Sequence, residues 1–211
     1  MEVKHPSDPV FLTILIGILL LSCSGYGQPC KGKLTITDSR NGKKYPVVQI
    51  GSQCWLQKNM DYMTGNSVCM FKEDLSECDT VWGQLYDWET ATIVCPRGWH
   101  LPDLNEFKVL VNYLGGPDIA GGKMKEKDTT HWSMPNAYAT NESGFKAIAA
   151  GYYREPSLYG LKDNAYFWTS SEVNIERAYL LTLDNDLGSV GYNDWKLCTK
   201  EFYFSVRCIK D

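Results

Sequence analysis

The 211-residue chain has little histidine, three residues in all, and no cysteine pair spaced C-x-x-C. With no histidine at zinc-finger distance from a cysteine pair, a structural zinc site is excluded as the reason for its cysteines. It also lacks a basic stripe. The formal net charge is −4 and the lysines are scattered, so phosphate-backbone binding has no electrostatic support and nucleic acid is excluded as a partner. No repeat or low-complexity tract is present, and no apolar run is long enough to cross a bilayer. The longest, "VFLTILIGILLL" from Val10 to Leu21, would span about 18 Å as a helix against a hydrocarbon core of about 30 Å.

That run reads as a signal sequence. It ends in Leu20-Leu21-Ser22-Cys23, similar to a bacterial lipobox, which makes residues 1–22 a lipoprotein signal, Cys23 the lipid-attachment residue and 23–32 a short linker. The alternative is cleavage after Gly27, because Gly25 and Gly27 supply the small residues that signal peptidase needs. Either route places the folded part, residues 33–211, outside the cytoplasm, as an outer-membrane lipoprotein or a secreted or periplasmic protein.

What is abundant agrees with that placement. There are eight cysteines and an aromatic fraction of 13%, with seven Trp and thirteen Tyr; disulfides persist in oxidising compartments. Removing Cys23 leaves seven thiols, Cys30, Cys54, Cys69, Cys78, Cys95, Cys198 and Cys208, an odd number that leaves at least one unpaired or paired between molecules. Cys69 and Cys78 bracket the polar "MFKEDLSE", which a local bridge could tie off.

Local patterns outline an α+β domain. "KLTITDSRNGKKYPVVQIG" alternates apolar and polar residues on both sides of Asn41-Gly42, a hairpin signal. Leu85, Trp88 and Thr92 fall at helical spacing ahead of Cys95. In "LPDLNEFKVLVNYLGG", Asp103 can cap a helix and Glu106 completes a capping box. Phe107, Leu110, Val111 and Leu114 then repeat on one face until Gly115-Gly116. Beyond Pro117 the expectation is short strands, at 145–153, 165–171, 178–184 and 202–209, joined by long polar and aromatic loops at 151–164 and 185–200. Helices first and strands afterwards suggest an antiparallel sheet.

Five segments in order, "DSRNGKKYPVVQIGSQCWLQKNMDY", "WGQLYDWETA", "CPRGWHLPDLNEF", "AYFWTSSE" and "FSVRCIKD", resemble the Fibrobacter succinogenes major paralogous domain, from about Lys33 to Asp211. That family occurs on secreted proteins and lipoproteins and is related to C-type-lectin-like folds. The resemblance implies short helices packed on an antiparallel sheet with long irregular loops. It implies a bridge from Cys95 to Cys208, and the family pattern also carries Cys69 and Cys78. Cys54 and Cys198 depart from that pattern, and their joint appearance invites a Cys54–Cys198 bridge, with Cys30 left over or replacing either partner. The implied function is a non-enzymatic binding or adhesion module of the cell envelope, membrane-held through its lipid, with a glycan or an envelope protein as ligand. The alternatives are an oxidase related to formylglycine-generating enzymes, using Cys198 and Cys208, or a purely structural envelope protein.

Candidate sites are weighed against plainer roles. His100 near Cys95 could be a base beside a thiol nucleophile, but a cysteine with a bridge partner is not a thiolate. Glu172 with Glu176, or Asp184 with Asp186, could form a glycosidase-like pair; solvated loop charges are the commoner case. Lectin-type calcium binding uses a Glu-Pro-Asn-like loop and a Trp-Asn-Asp-like strand end, and this chain offers Glu155-Pro156-Ser157 and Tyr192-Asn193-Asp194. Ser157 lacks the amide carbonyl and Tyr192 replaces the Trp, so no metal or cofactor is assigned. The expected ligand patch is Tyr153, Glu155, Tyr192, Asn193, Asp194 and Trp195, where the two long loops meet over one end of the sheet. Tyr152 and Tyr159 fall in the same loops, whereas Trp55, Trp88, Trp99 and Trp168 belong to core motifs.

Overall fold

The computed structural model describes Met1, Cys30 and residues 32–70, 78–191 and 199–211. Among the described residues the fold is mostly β, with three short helices and curled, largely antiparallel sheets. The strands before the first helix are β1 (Thr35–Thr37), β2 (Lys44–Ile50), β3 (Gln53–Leu56), β4 (Ser67–Cys69) and β5 (Gln84–Tyr86). Then come α1 (Trp88–Ile93), β6 (Trp99–His100), α2 (Leu104–Tyr113) and α3 (Pro117–Met124). The C-terminal half holds β7 (Tyr152–Arg154), β8 (Ser157–Tyr159), β9 (Asn164–Asn174), β10 (Arg177–Asp184), β11 (Val190–Gly191), β12 (Phe204–Ser205) and β13 (Ile209–Lys210).

Two main sheets interleave the ends of the chain. One runs β1-β2-β3-β13-β6, the other β11-β10-β9-β12-β5-β4, and β7-β8 form a separate hairpin. Among the named strands every pairing is antiparallel except β12 against β9, and the isolated bridges Lys125–Ala147 and Gly151–Ala165 are also parallel. Strands therefore lie on both sides of the helices in sequence, not only after them. The reason is long-range pairing: Leu85, expected in a helix, lies in β5, which is held between Val68 and Ser205.

Local chemistry explains the helix ends. Asp103 accepts from the Glu106 amide at 2.7 Å, and the Glu106 carboxylate accepts from the Asp103 amide at 2.8 Å, closing the capping box of α2. The amides of Gly115 and Gly116 bond back to Asn112 and Val111 at its C-terminus. Phe107, Leu110 and Val111 are fully buried against Trp55, Trp132, Phe145 and Phe167. α3 falls in a stretch, 117–124, to which neither helix nor strand was assigned from the sequence. It contains Gly121-Gly122, poor helix formers, but a side chain on Gly121 would meet the Ser189 carbonyl at 2.3 Å, so close approach to the 188–189 backbone demands glycine there. The segment 145–151 makes isolated bridges and only 152–154 is strand.

Among the described residues three disulfides staple the structure: Cys30–Cys54, Cys69–Cys78 and Cys95–Cys208. Cys54 is therefore not joined to Cys198, which lies outside the described residues. The partner of Cys54, on β3, is Cys30, with the two Cα atoms 5.2 Å apart. Disulfides of this number place the domain in an oxidising, extracytoplasmic compartment. Among the described residues no helix is long and apolar enough to cross a membrane.

A buried cation organises the loops around α3. Lys125 is fully buried, and its ammonium donates to the carbonyls of Ala137, Asp184 and Leu187 at 2.8, 2.8 and 2.9 Å. Its three protons meet three backbone acceptors from two separate loops.

Candidate functional site

The segment "CPRGWHLPDLNEF" is a structural staple. Cys95 is bridged to Cys208, which is fully buried, and Gly98 turns the chain with φ of +83° into β6, which pairs with β13. His100 faces two carboxylates, with Nδ1 2.7 Å from Asp211 and Nε2 3.0 Å from Glu106. Burial lowers its pKa, but the bonds to Asp211 and Glu106 outweigh that and leave it above the ordinary histidine value. Cys95 has no thiol to activate, so His100 acts as a clasp between α2 and the chain terminus.

A cleft opens at the place where the loop spanning 151–164 meets the segment leading into β12. That loop is not irregular: it folds into the β7–β8 hairpin, and Gly151 at its base has φ of +65° with its Cα packed against the Tyr159 carbonyl. The hairpin docks by a two-bond bridge, Tyr153 amide to Tyr203 carbonyl at 3.0 Å and Tyr203 amide to Tyr153 carbonyl at 2.9 Å. The resulting cleft, about 780 Å³, is lined by Asp87, Glu89, Arg154, Glu155, Thr199, Lys200, Glu201, Phe202 and Tyr203.

Each wall has a local cause. Asp87 caps α1, accepting from the Thr90 amide at 2.9 Å. Lys200 is pinned: its ammonium sits 3.9 Å from the centre of the Trp88 ring and 3.3 Å from Glu172 Oε1, and its carbonyl accepts from the Trp88 amide. Arg154 lies over the Phe202 ring at 5.2 Å. Tyr152 stacks between Tyr159 and Phe202, with ring centres 5.2 and 5.9 Å away. Burial raises the Tyr203 hydroxyl pKa, and the negative charges of Asp87 and Glu155 push in the same direction. The cleft thus presents four carboxylates and two cations around partly covered aromatic faces, a mixture suited to a polar ligand with flat apolar faces.

Of the expected patch, Glu155 lines the cleft and Tyr153 forms the bridge that builds it. Tyr192, Asn193, Asp194 and Trp195 lie outside the described residues. Of the other carboxylate candidates, Asp184 lies within electrostatic reach of Asp186, whose charge adds to burial in raising its pKa. Glu172 belongs to Lys200, and Asp184 receives the Asn164 amide at the opposite end of the β9–β10 hairpin. No group of three or more His, Cys, Asp or Glu side chains that could hold a metal occurs among the described residues. Trp55 and Trp168 are fully buried and Trp88 nearly so, while Trp99 is partly buried against the same core.

Sequence reasoning missed Asp87, Arg154, Lys200, Phe202 and Tyr203. Arg154 and Lys200 lie within the two long loops at 151–164 and 185–200; for Asp87 the one signal available was its capping residue type ahead of α1.

A family model described as the Fibrobacter succinogenes major domain matches residues 48–210. The chain belongs to this family. The matched span takes in the scaffold of the cleft and the Cys95–Cys208 bridge, whereas β1 and Cys30 precede it. No curated protein and no solved structure matches the chain.

Proposed function

We propose that this Fibrobacter succinogenes major domain is a non-enzymatic binding module of the cell envelope, C-type-lectin-like in fold, carried on a lipid at Cys23, with a glycan seated in the 780 Å³ cleft. The carrying observation is the cleft's construction. A hairpin is locked onto the sheet by the Tyr153–Tyr203 bridge, so Arg154 and Glu155 stand opposite Asp87 and Glu201 on rigid supports. Carboxylates and cations there can hydrogen-bond sugar hydroxyls while Phe202 and Tyr203 offer ring faces. The oxidase alternative needs Cys208 as a free thiol, and the Cys95–Cys208 bridge speaks against it.

A glycan array probed with the purified protein, followed by Arg154→Ala, tests the reading. Arg154 is exposed, so its truncation is expected to weaken binding by about 1–2 kcal/mol while leaving the melting temperature within a degree or so. Retained affinity in Arg154→Ala would remove the cleft from this account. Capture of an envelope protein by the same cleft, with no glycan bound, would replace the ligand class.

A further inference from the structure

On another face, the recess beneath β3 and the loop 126–148 holds a buried charge with no counterion. Arg207 is fully buried, yet among the described residues it forms no ion pair. Its Nη1 donates to the Leu56 and Phe145 carbonyls and its Nη2 to Asn59 Oδ1 at 2.8 Å, while Nε has no partner. The guanidinium lies over the Phe145 ring at 4.4 Å and near the Phe167 ring at 5.4 Å. Burial alone lowers its pKa to about 9. A buried cation without an anion is costly, and a buried N–H without an acceptor adds to that cost.

Arg207 forms part of the lining of a recess of about 160 Å³ with Lys58, Asn59, Glu126, His131 and Lys146. The one carboxylate in it is already engaged: Glu126 Oε2 is 2.6 Å from His131 Nδ1, and its Oε1 is 3.4 Å from Lys146 Nζ. With Glu126 set against Lys146, the charges of Lys58 and Arg207 remain uncompensated in a chain whose net charge is −4. The Trp82 indole packs edge-on against His131 at 5.0 Å, and its neighbour Val81 lines the recess.

We propose that this recess binds a small organic carboxylate, one oxygen accepting from Arg207 Nε and the other turned toward Lys58 and Lys146. A planar monoanion suits the site. The unpartnered Nε–H offers a donor to one carboxylate oxygen while the lysine ammonium groups face the other, and a monoanion loses less hydration on entering a small recess than a dianionic phosphate. This site is independent of the glycan cleft and stands or falls separately from it.

The test is a titration of the purified protein with acetate and formate, at ionic strength held constant with chloride. It is followed by the melting temperature and by the Arg207 Nε–H resonance in nitrogen-15 spectra. Saturable changes at about millimolar concentration are expected. Lys146→Gln, at an exposed position, should weaken the acetate response about two- to five-fold, the effect of one partly exposed charge. A response indistinguishable from that to chloride, or unaltered acetate affinity in Lys146→Gln, would overturn the site. Tighter binding of phosphate than of acetate would overturn the carboxylate assignment.

Discussion

Replacing Cys95 and Cys208 together by alanine probes the staple that closes the largest loop in the fold. The two cysteines are 113 residues apart, against 9 for Cys69 and Cys78. In the chain-entropy description, closing the long loop restricts the unfolded chain by about 4.8 kcal/mol and closing the short one by about 2.6 kcal/mol. Cys208 is fully buried, so its truncation adds about 1 kcal/mol of lost packing to the first figure. The long-loop variant is therefore expected to lose about 5–6 kcal/mol in denaturant titrations, and the Cys69→Ala/Cys78→Ala variant about half as much. For a domain of this size the larger loss lowers the melting temperature by roughly 10–20 °C. Because the effect acts on the unfolded ensemble, the slope of stability against denaturant should rise as the freed chain exposes more surface. Equal losses in the two variants would refute the loop-entropy argument and place the stabilisation in native contacts around each bridge.

Other perturbations read other parts of the molecule. Lys125→Met should cost about 3 kcal/mol or more at neutral pH, because three buried carbonyls lose their donor; a neutral or stabilised variant in urea titration would refute that role. Burial lowers the Lys125 pKa to about 8, so between there and the unfolded value of about 10.4 the unfolded chain binds more protons and wild-type stability should rise relative to Lys125→Met. The raised His100 pKa gives the opposite sign: its contribution is full below about pH 6.5 and is lost as pH rises through the folded value. The side chain is half exposed, so the stability gap to His100→Gln should narrow by under about 1 kcal/mol between pH 5.5 and 8.5, and an unchanged gap counts against the clasp. Cys23→Ser should move the protein from membrane to soluble fractions, and a wild-type N-terminus at Gln28 would exclude the anchor.

The parts of the fold legible in the sequence are those whose cause is local. Asp103 and Glu106 cap α2 through bonds three residues apart, and the β1–β2 hairpin turns at Asn41-Gly42. β9 and β10 are long enough for their apolar pattern to show. β5 is not legible because its three residues are extended only through partners at Ser67–Cys69 and Phe204–Ser205. α3 is hidden for a related reason: Gly121 and Gly122 lower its helical propensity, and tertiary approach of the 188–189 backbone and Tyr138 makes those glycines necessary. The Cys30–Cys54 pairing depends on the tertiary approach of Cys30, ahead of β1, to β3, which no spacing reveals.

The cleft was half legible for the same physical reason. Glu155 stood out in a long loop, but its opposite wall is built from Asp87 and Glu201, brought near only when Tyr153 bonds to Tyr203 fifty positions away. That construction also decides which substitutions can report on a ligand. Lys200 touches Trp88 and Glu172, and Phe202 packs on Tyr152, so changes at either disturb the scaffold as well as the cleft. Asp87 holds the N-terminus of α1, and its loss costs about 1 kcal/mol in the helix cap alone. Arg154, Glu155 and Glu201 are exposed. Differences in binding among their alanine variants, at constant melting temperature, isolate the cleft's recognition from its construction.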